Sequence, residues 1–147
     1  MIGPQHERVT AWLAKGNLRP TRQRLALATL LVGDGENRHV TAEGLYALCA
    51  ASGEKVSLAT VYNTLRAFCA AELMNEIVVD GARSYFDTRM DDHAHFYRED
   101  SHDLTDVPTD GILITGLPDA PVGMQITRVD VVIRLRRSYD QVVFRQE

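Results

Sequence analysis

Between Val56 and Phe68 the large apolar residues Leu58, Val61, Leu65 and Phe68 recur at spacings of three and four. That period predicts a helix with one buried stripe. Ala59, Asn63 and Arg66 fall on another face, with Thr60 and Tyr62 at its edges, and the segment contains no Glu, Asp or Lys. An ordinary solvated helix carries Glu and Lys pairs on its outer face. One cation among small, hydroxyl and amide groups is instead an inventory able to enter a major groove and read base edges.

The preceding chain reads as three more helices. Val9, Trp12 and Leu13 give one side to a short helix over His6 to Lys15, closed by Gly16-Asn17. Pro20-Thr21 opens a second over Arg22 to Val32, with Leu27, Leu30 and Leu31 inward, or Leu25 and Ala28 at the start of the same face, and Gly33-Asp34-Gly35 stops it. Thr41 is the expected N-cap of a third, with Leu45, Leu48 and Cys49 inward and Gly53 past its end. Gly44 inside that helix weakens it by about 1 kcal/mol relative to Ala. Ser57 caps the fourth.

From Leu73 to Asp87 two runs able to form strands flank Asp80-Gly81, a strong two-residue hairpin signal. Helices, a recognition helix and a hairpin predict a winged helix-turn-helix over residues 1–87, with Arg83 of the hairpin available to a phosphate. Residues 88–147 differ in kind. Short strands are expected at His93–Tyr97 and Leu104–Val107, then a loop-rich stretch with Pro108, Pro118 and Pro121, then a β-rich run from Met124 to Leu135. An apolar strand that long must be covered, and self-association of this second domain would cover it. The fold class is thus α+β, a winged helix-turn-helix followed by a small domain that self-associates.

Charge separates the halves in the same way. The net charge is −4; through Arg83 there are nine Lys/Arg against eight Asp/Glu, and from Ser84 onward seven against twelve. Acidity therefore sits in the second half, where carboxylates can ligate a metal or solubilise the surface. The first half is only mildly basic, so DNA affinity would rest on a few placed cations. No apolar run approaches the roughly 20 residues of a membrane span, and the N-terminal stretch lacks the pattern of a secretory signal; the cytoplasm is the expected compartment. Cys49 and Cys69 form no Cys-x-x-Cys pair and read as buried small hydrophobes rather than a thiolate metal site.

His93-Ala94-His95 is a His-x-His on an expected strand, whose period of two puts both imidazoles on one face. Asp87 ends the hairpin and His39 stands just before the third helix, so an ion shared by these residues would tie the two domains together. Nitrogen and oxygen donors of this kind suit Mn²⁺, Fe²⁺ or Zn²⁺ and offer no thiolate to select a softer metal. His6 and His102 are expected at the surface.

Several runs resemble the ferric uptake regulator superfamily of metal-responsive transcription factors: Leu18-Arg-Pro-Thr-Arg-Gln-Arg24, His39-Val-Thr-Ala-Glu43 and Ala59-Thr-Val-Tyr62. Others look like its iron response regulator branch: Val56 to Leu65, Ser84-Tyr-Phe-Asp-Thr88, Ser101-His-Asp-Leu104 and Val129-Asp-Val-Val-Ile-Arg-Leu-Arg136. The likeness spans about Trp12 to Arg137. It implies a homodimeric regulator of iron and haem metabolism, with an N-terminal winged helix and a small C-terminal α/β dimerisation domain at 88–147, that binds a double-stranded operator, with a metal or haem at the hinge tuning affinity and haem or a haem-synthesis protein as a further partner. By motif position the hinge ligands would be His39, Asp87, His93, His95 and Asp106. The branch's Cys-Pro haem motif is missing, which leaves ligation through His93 or His95 as the form haem binding would take. Where the wider superfamily has its first thiolate zinc pair, this chain has Arg98 and Ser101.

The residues expected to meet DNA are Lys15, Arg22, Lys55, Ser57, Ala59, Thr60, Tyr62, Asn63 and Arg66. Tyr62 would pack on thymine methyls, Asn63 and Arg66 would read or position, and the lysines and Arg22 would reach phosphates or the minor groove. Asn63 stands where the superfamily usually has arginine, which predicts a different operator preference. The competing functions are a winged-helix protein–protein adaptor, favoured by the low positive charge, and a metal-dependent hydrolase using the His-x-His. No nucleophile–base pair supports the second.

Overall fold

The computed structural model describes residues 3–81, 83–108 and 112–138. The chain divides into two compact units, Met1–Asp91 and Asp92–Glu147.

The first unit opens with α1, Pro4–Lys15. It begins before His6 because Pro4 occupies the first turn, where its missing N–H is no loss. Gly16 ends it under a tight contact: a Cβ there would lie 2.8 Å from Leu73 Cδ1. Helix α2, Arg22–Val32, is capped by Thr21, whose hydroxyl accepts the Arg24 N–H at 3.3 Å. Helix α3, Ala42–Ala51, is capped by Thr41, which accepts the Gly44 N–H at 3.0 Å. Helix α4, Leu58–Ala70, starts at Ser57, whose Oγ accepts the Thr60 N–H at 3.1 Å. Replacing Ser57 with Ala is expected to lower stability by about 1 kcal/mol, measured by urea unfolding, because an N-cap acceptor is lost from the first turn.

Val9, Leu13, Leu27, Leu31, Leu45, Val61, Leu65 and Phe68 interlock in the core of this unit, with Leu73, Met74 and Phe86 of the hairpin region closing it. Trp12 meets Phe68 edge-on, ring centroids 4.9 Å apart. Two expected core residues lie outside. Leu48 is 50% exposed, since the buried seam of α3 runs through Ala42, Leu45 and Cys49. Leu58 is 37% exposed: it is the first residue of α4 and overhangs the core, while Thr64 takes an inner place beside Val61, Leu65 and Phe68. Leu30 is only partly buried.

The hairpin consists of β2, Asn75–Asp80, and β3, Arg83–Asp87, with a register irregularity between Val78 and Asp80. Ile77 and Val79 point inward and Val78 outward, the alternation of a one-sided sheet. A third strand, β1, His39–Val40, adds antiparallel to β3, giving the order β1-β3-β2. Two residues are too short to leave a periodic signal, so the strand itself is not predicted; His39 stands just before α3 as expected, and in the sheet it lies directly opposite Asp87.

In the second unit β4, His95–Arg98, lies between β5, Leu104–Asp106, antiparallel to it, and β6, Val132–Leu135, parallel to it. Among the described residues this unit has no helix. The Met124–Leu135 run is strand only over its last four residues. Its partner β4 is itself four residues long, so the ladder has nothing further to pair with. Leu113, Leu117, Val122 and Met124 stand exposed. The β4–β5 turn is closed by the Tyr97 hydroxyl and His102 Nδ1, 2.9 Å apart, with Tyr97 buried and His102 exposed.

Candidate metal centre and nucleic-acid interface

In the first unit, strand pairing sets His39 Nε2 3.1 Å from Asp87 Oδ2. The Asp87 side chain is 1% exposed. A carboxylate buried to that degree must be hydrogen-bonded or paired, and its other oxygen, Oδ1, accepts the Arg89 N–H at 2.8 Å. The sheet thus fixes one oxygen and turns the other to an imidazole. Thr88 follows directly; its N–H donates to the Arg38 carbonyl and its Oγ1 accepts the Arg38 N–H, extending the clasp beside His39.

The second unit builds a set of its own. His95 and Asp106 are cross-strand partners of β4 and β5. Asp106 Oδ1 lies 3.2 Å from His93 Nε2 and 3.5 Å from His95 Nε2. The donor atoms of these three residues lie within 4.8 Å of one another. A carboxylate shared by two Nε2 atoms suits a divalent ion of intermediate hardness. It does not suit axial haem ligation by the pair. The two rings lie 4.4 Å apart at 55°, whereas axial ligands approach iron from opposite faces of a porphyrin that must fit between them. Of the forms haem binding would take, this geometry disfavours only the one that uses both rings at once. Cys49 is buried, and burial pushes its thiol above the ordinary range, the opposite of a thiolate ligand.

On α4, Ala59, Asn63 and Arg66 are exposed, and Thr60 and Tyr62 are half-buried, as the spacing predicts. Lys15, Arg22 and Lys55 are exposed as well. Arg22 Nε sits 3.6 Å from Glu54 Oε2. Ser57 is spent on the cap of α4. Arg66 places its guanidinium carbon 5.8 Å from the centroid of the Tyr62 ring, one turn along the helix. One residue at this face was missed: Glu43, from the first turn of α3, accepts the Tyr62 hydroxyl at 2.7 Å. Nineteen positions separate them, so no local spacing could have paired them. The bond holds the Glu43 carboxyl below its ordinary range and the Tyr62 phenol above its own.

Among the described residues no helix is long and apolar enough to cross a membrane. Residues 15–133 match the model of the Ferric uptake regulator family. The chain is 33% identical over 101 residues to the ferric uptake regulation protein of Escherichia coli K12, covering 68% of each chain. It is 33% identical over 100 residues to the peroxide operon regulator of Bacillus subtilis, again covering 68% of both. The structure of the ferric uptake regulator of Pseudomonas aeruginosa with manganese superposes with a TM-score of 0.63 at 25% identity, over 88% of this chain and 97% of that one. That of Vibrio cholerae shares the fold, with a TM-score of 0.65 at 22% identity over 87% and 98%. The chain belongs to the ferric uptake regulator family, whose members are transcriptional regulators that bind DNA and respond to metals rather than enzymes.

Proposed function

We propose that the chain is a homodimeric, iron-responsive regulator of transcription, acting in the cytoplasm, whose first unit reads an operator and whose second unit dimerises and senses. The observation that carries this reading is the His39–Asp87 pair. A potential metal-ligating couple is built into the same sheet as the hairpin of the DNA-reading unit. His93, His95 and Asp106 supply the matching donors from the other unit. Each set offers imidazole nitrogen and carboxylate oxygen to a divalent cation, Fe²⁺ or Mn²⁺ by donor type, and its binding would bias the equilibrium between states that do and do not hold DNA. A ligand shifts such an equilibrium only by its differential affinity for the two states. The motifs shared with the iron response regulator branch support iron as the physiological cue, and the exposed apolar side chains between Leu113 and Val129 support a second copy as their cover.

Each α4 would lie in a major groove, with Asn63 and Arg66 toward base edges and Lys15, Arg22 and Lys55 toward the backbone. The decisive measurement is a titration of metal-free protein on operator DNA, repeated with Mn²⁺. Affinity should change by about 5- to 150-fold, the usual range of coupling between two sites. Unchanged affinity sinks the sensing role. Arg66→Ala should cost about 1–3 kcal/mol at a specific site and far less on scrambled duplex, read by gel shift. Binding should weaken as salt rises, since backbone neutralisation releases counterions; a chain with no affinity for any duplex would be the adaptor instead.

A further inference from the structure

We propose that Glu43 is a positioning residue for DNA recognition, one that makes Tyr62 an apolar reader of thymine methyl groups. This rests on the DNA-binding reading given above. The Tyr62 hydroxyl donates to Glu43 Oε1 at 2.7 Å, the length of a charge-assisted bond to a carboxylate. A phenol engaged in that way has no proton left for thymine O4 or guanine O6. Its oxygen can then accept but not donate; the ring is the larger surface left to face a groove, and its apolar partner there is the thymine methyl.

The ring is also held from its side. Arg66 lies 5.8 Å from its centroid, so the tip is tied to α3 while the guanidinium sits one turn along α4. Two elements thereby fix the tilt of a single side chain on the reading face. An exposed carboxylate beside a polyanion is electrostatically unfavourable, which makes a second role for Glu43 necessary. The first turn of α3 would favour any acidic residue at that place through the helix dipole, and the two explanations separate by experiment. Glu43→Gln keeps an acceptor for the phenol and loses the charge; Glu43→Leu loses both.

The test uses the full chain and a duplex that the wild-type protein selects from a random library. Glu43→Leu and Tyr62→Phe should each weaken binding about tenfold, with the double variant no worse than either alone, the non-additivity of a shared interaction. Glu43→Gln should stay within about twofold of wild type by the same reasoning. Replacing thymidines of the operator with deoxyuridine should weaken the wild-type protein at one position or more and leave Glu43→Leu indifferent there. Glu43 is exposed and Tyr62 half-buried, and thermal melts check that the variants are folded. Equal or tighter binding by Glu43→Leu, or losses that simply add, overturns the proposal. If Arg66→Ala still impairs binding in that case, the DNA-binding reading survives and only the role of Glu43 falls; a wild-type chain that selects no duplex overturns both.

Discussion

Operator titrations with the His93→Ala/His95→Ala protein are expected to superpose with and without Mn²⁺, whereas the wild-type curves should separate by about 5- to 150-fold. The variant strips the second unit of both Nε2 donors and leaves Asp106 as its single member of the set. One carboxylate cannot complete a site that otherwise combines imidazoles and carboxylates. The pair is chosen over Asp87 for a physical reason. Asp87 is buried and its Oδ1 accepts a backbone N–H, so its removal would orphan a donor inside the first unit and confuse sensing with stability. Asp106 is exposed, so losing the two histidines leaves a carboxylate that water can solvate. Curves that still separate in the double variant would refute the assignment of the second-unit donors.

The largest loss of stability is expected from Phe68→Ala, about 3–5 kcal/mol, the cost of deleting a large buried side chain and leaving a cavity. Phe68 is fully buried on the inner face of α4, and its ring meets Trp12 of α1 edge-on. Trp12 is the single tryptophan of the chain, so its fluorescence reports directly on this packing during urea unfolding. Most domains have only about 5–15 kcal/mol in hand, so operator binding should fail together with the fold as temperature rises. Leu58→Ala supplies the contrast: an equally apolar position on the same helix, it is 37% exposed and should change stability by less than about 1 kcal/mol. A Phe68→Ala loss as small as that would show that the packing of α1 on α4 contributes little.

What the sequence revealed follows from the range over which each signal acts. The caps Thr21, Thr41 and Ser57 act within three residues, and each is found accepting the N–H expected of it. The stripe of α4 is legible because Val61, Leu65 and Phe68 all lie against one core. Leu48 and Leu58 show where periodicity ends: it gives the phase of a helix, but whether a flank is covered depends on neighbours far along the chain. Strand β1 was invisible because two residues carry no period, although it is what brings His39 opposite Asp87. Motif position pointed to His39, Asp87, His93, His95 and Asp106, and the structure gathers the first two in one unit and the last three in the other. The Glu43 contact with Tyr62 was not readable, since nineteen positions separate the two and no local window contains both.

The turn joining β4 and β5 has one more consequence. Its corner is pinned by a phenol and an imidazole, Tyr97 to His102, and by no sulfur. Sulfur there would be open to oxidation and to chelators, and either would loosen the unit. A phenol–imidazole contact offers neither handle. Peroxide or a zinc chelator should therefore leave this corner standing, and circular dichroism of the treated protein checks it.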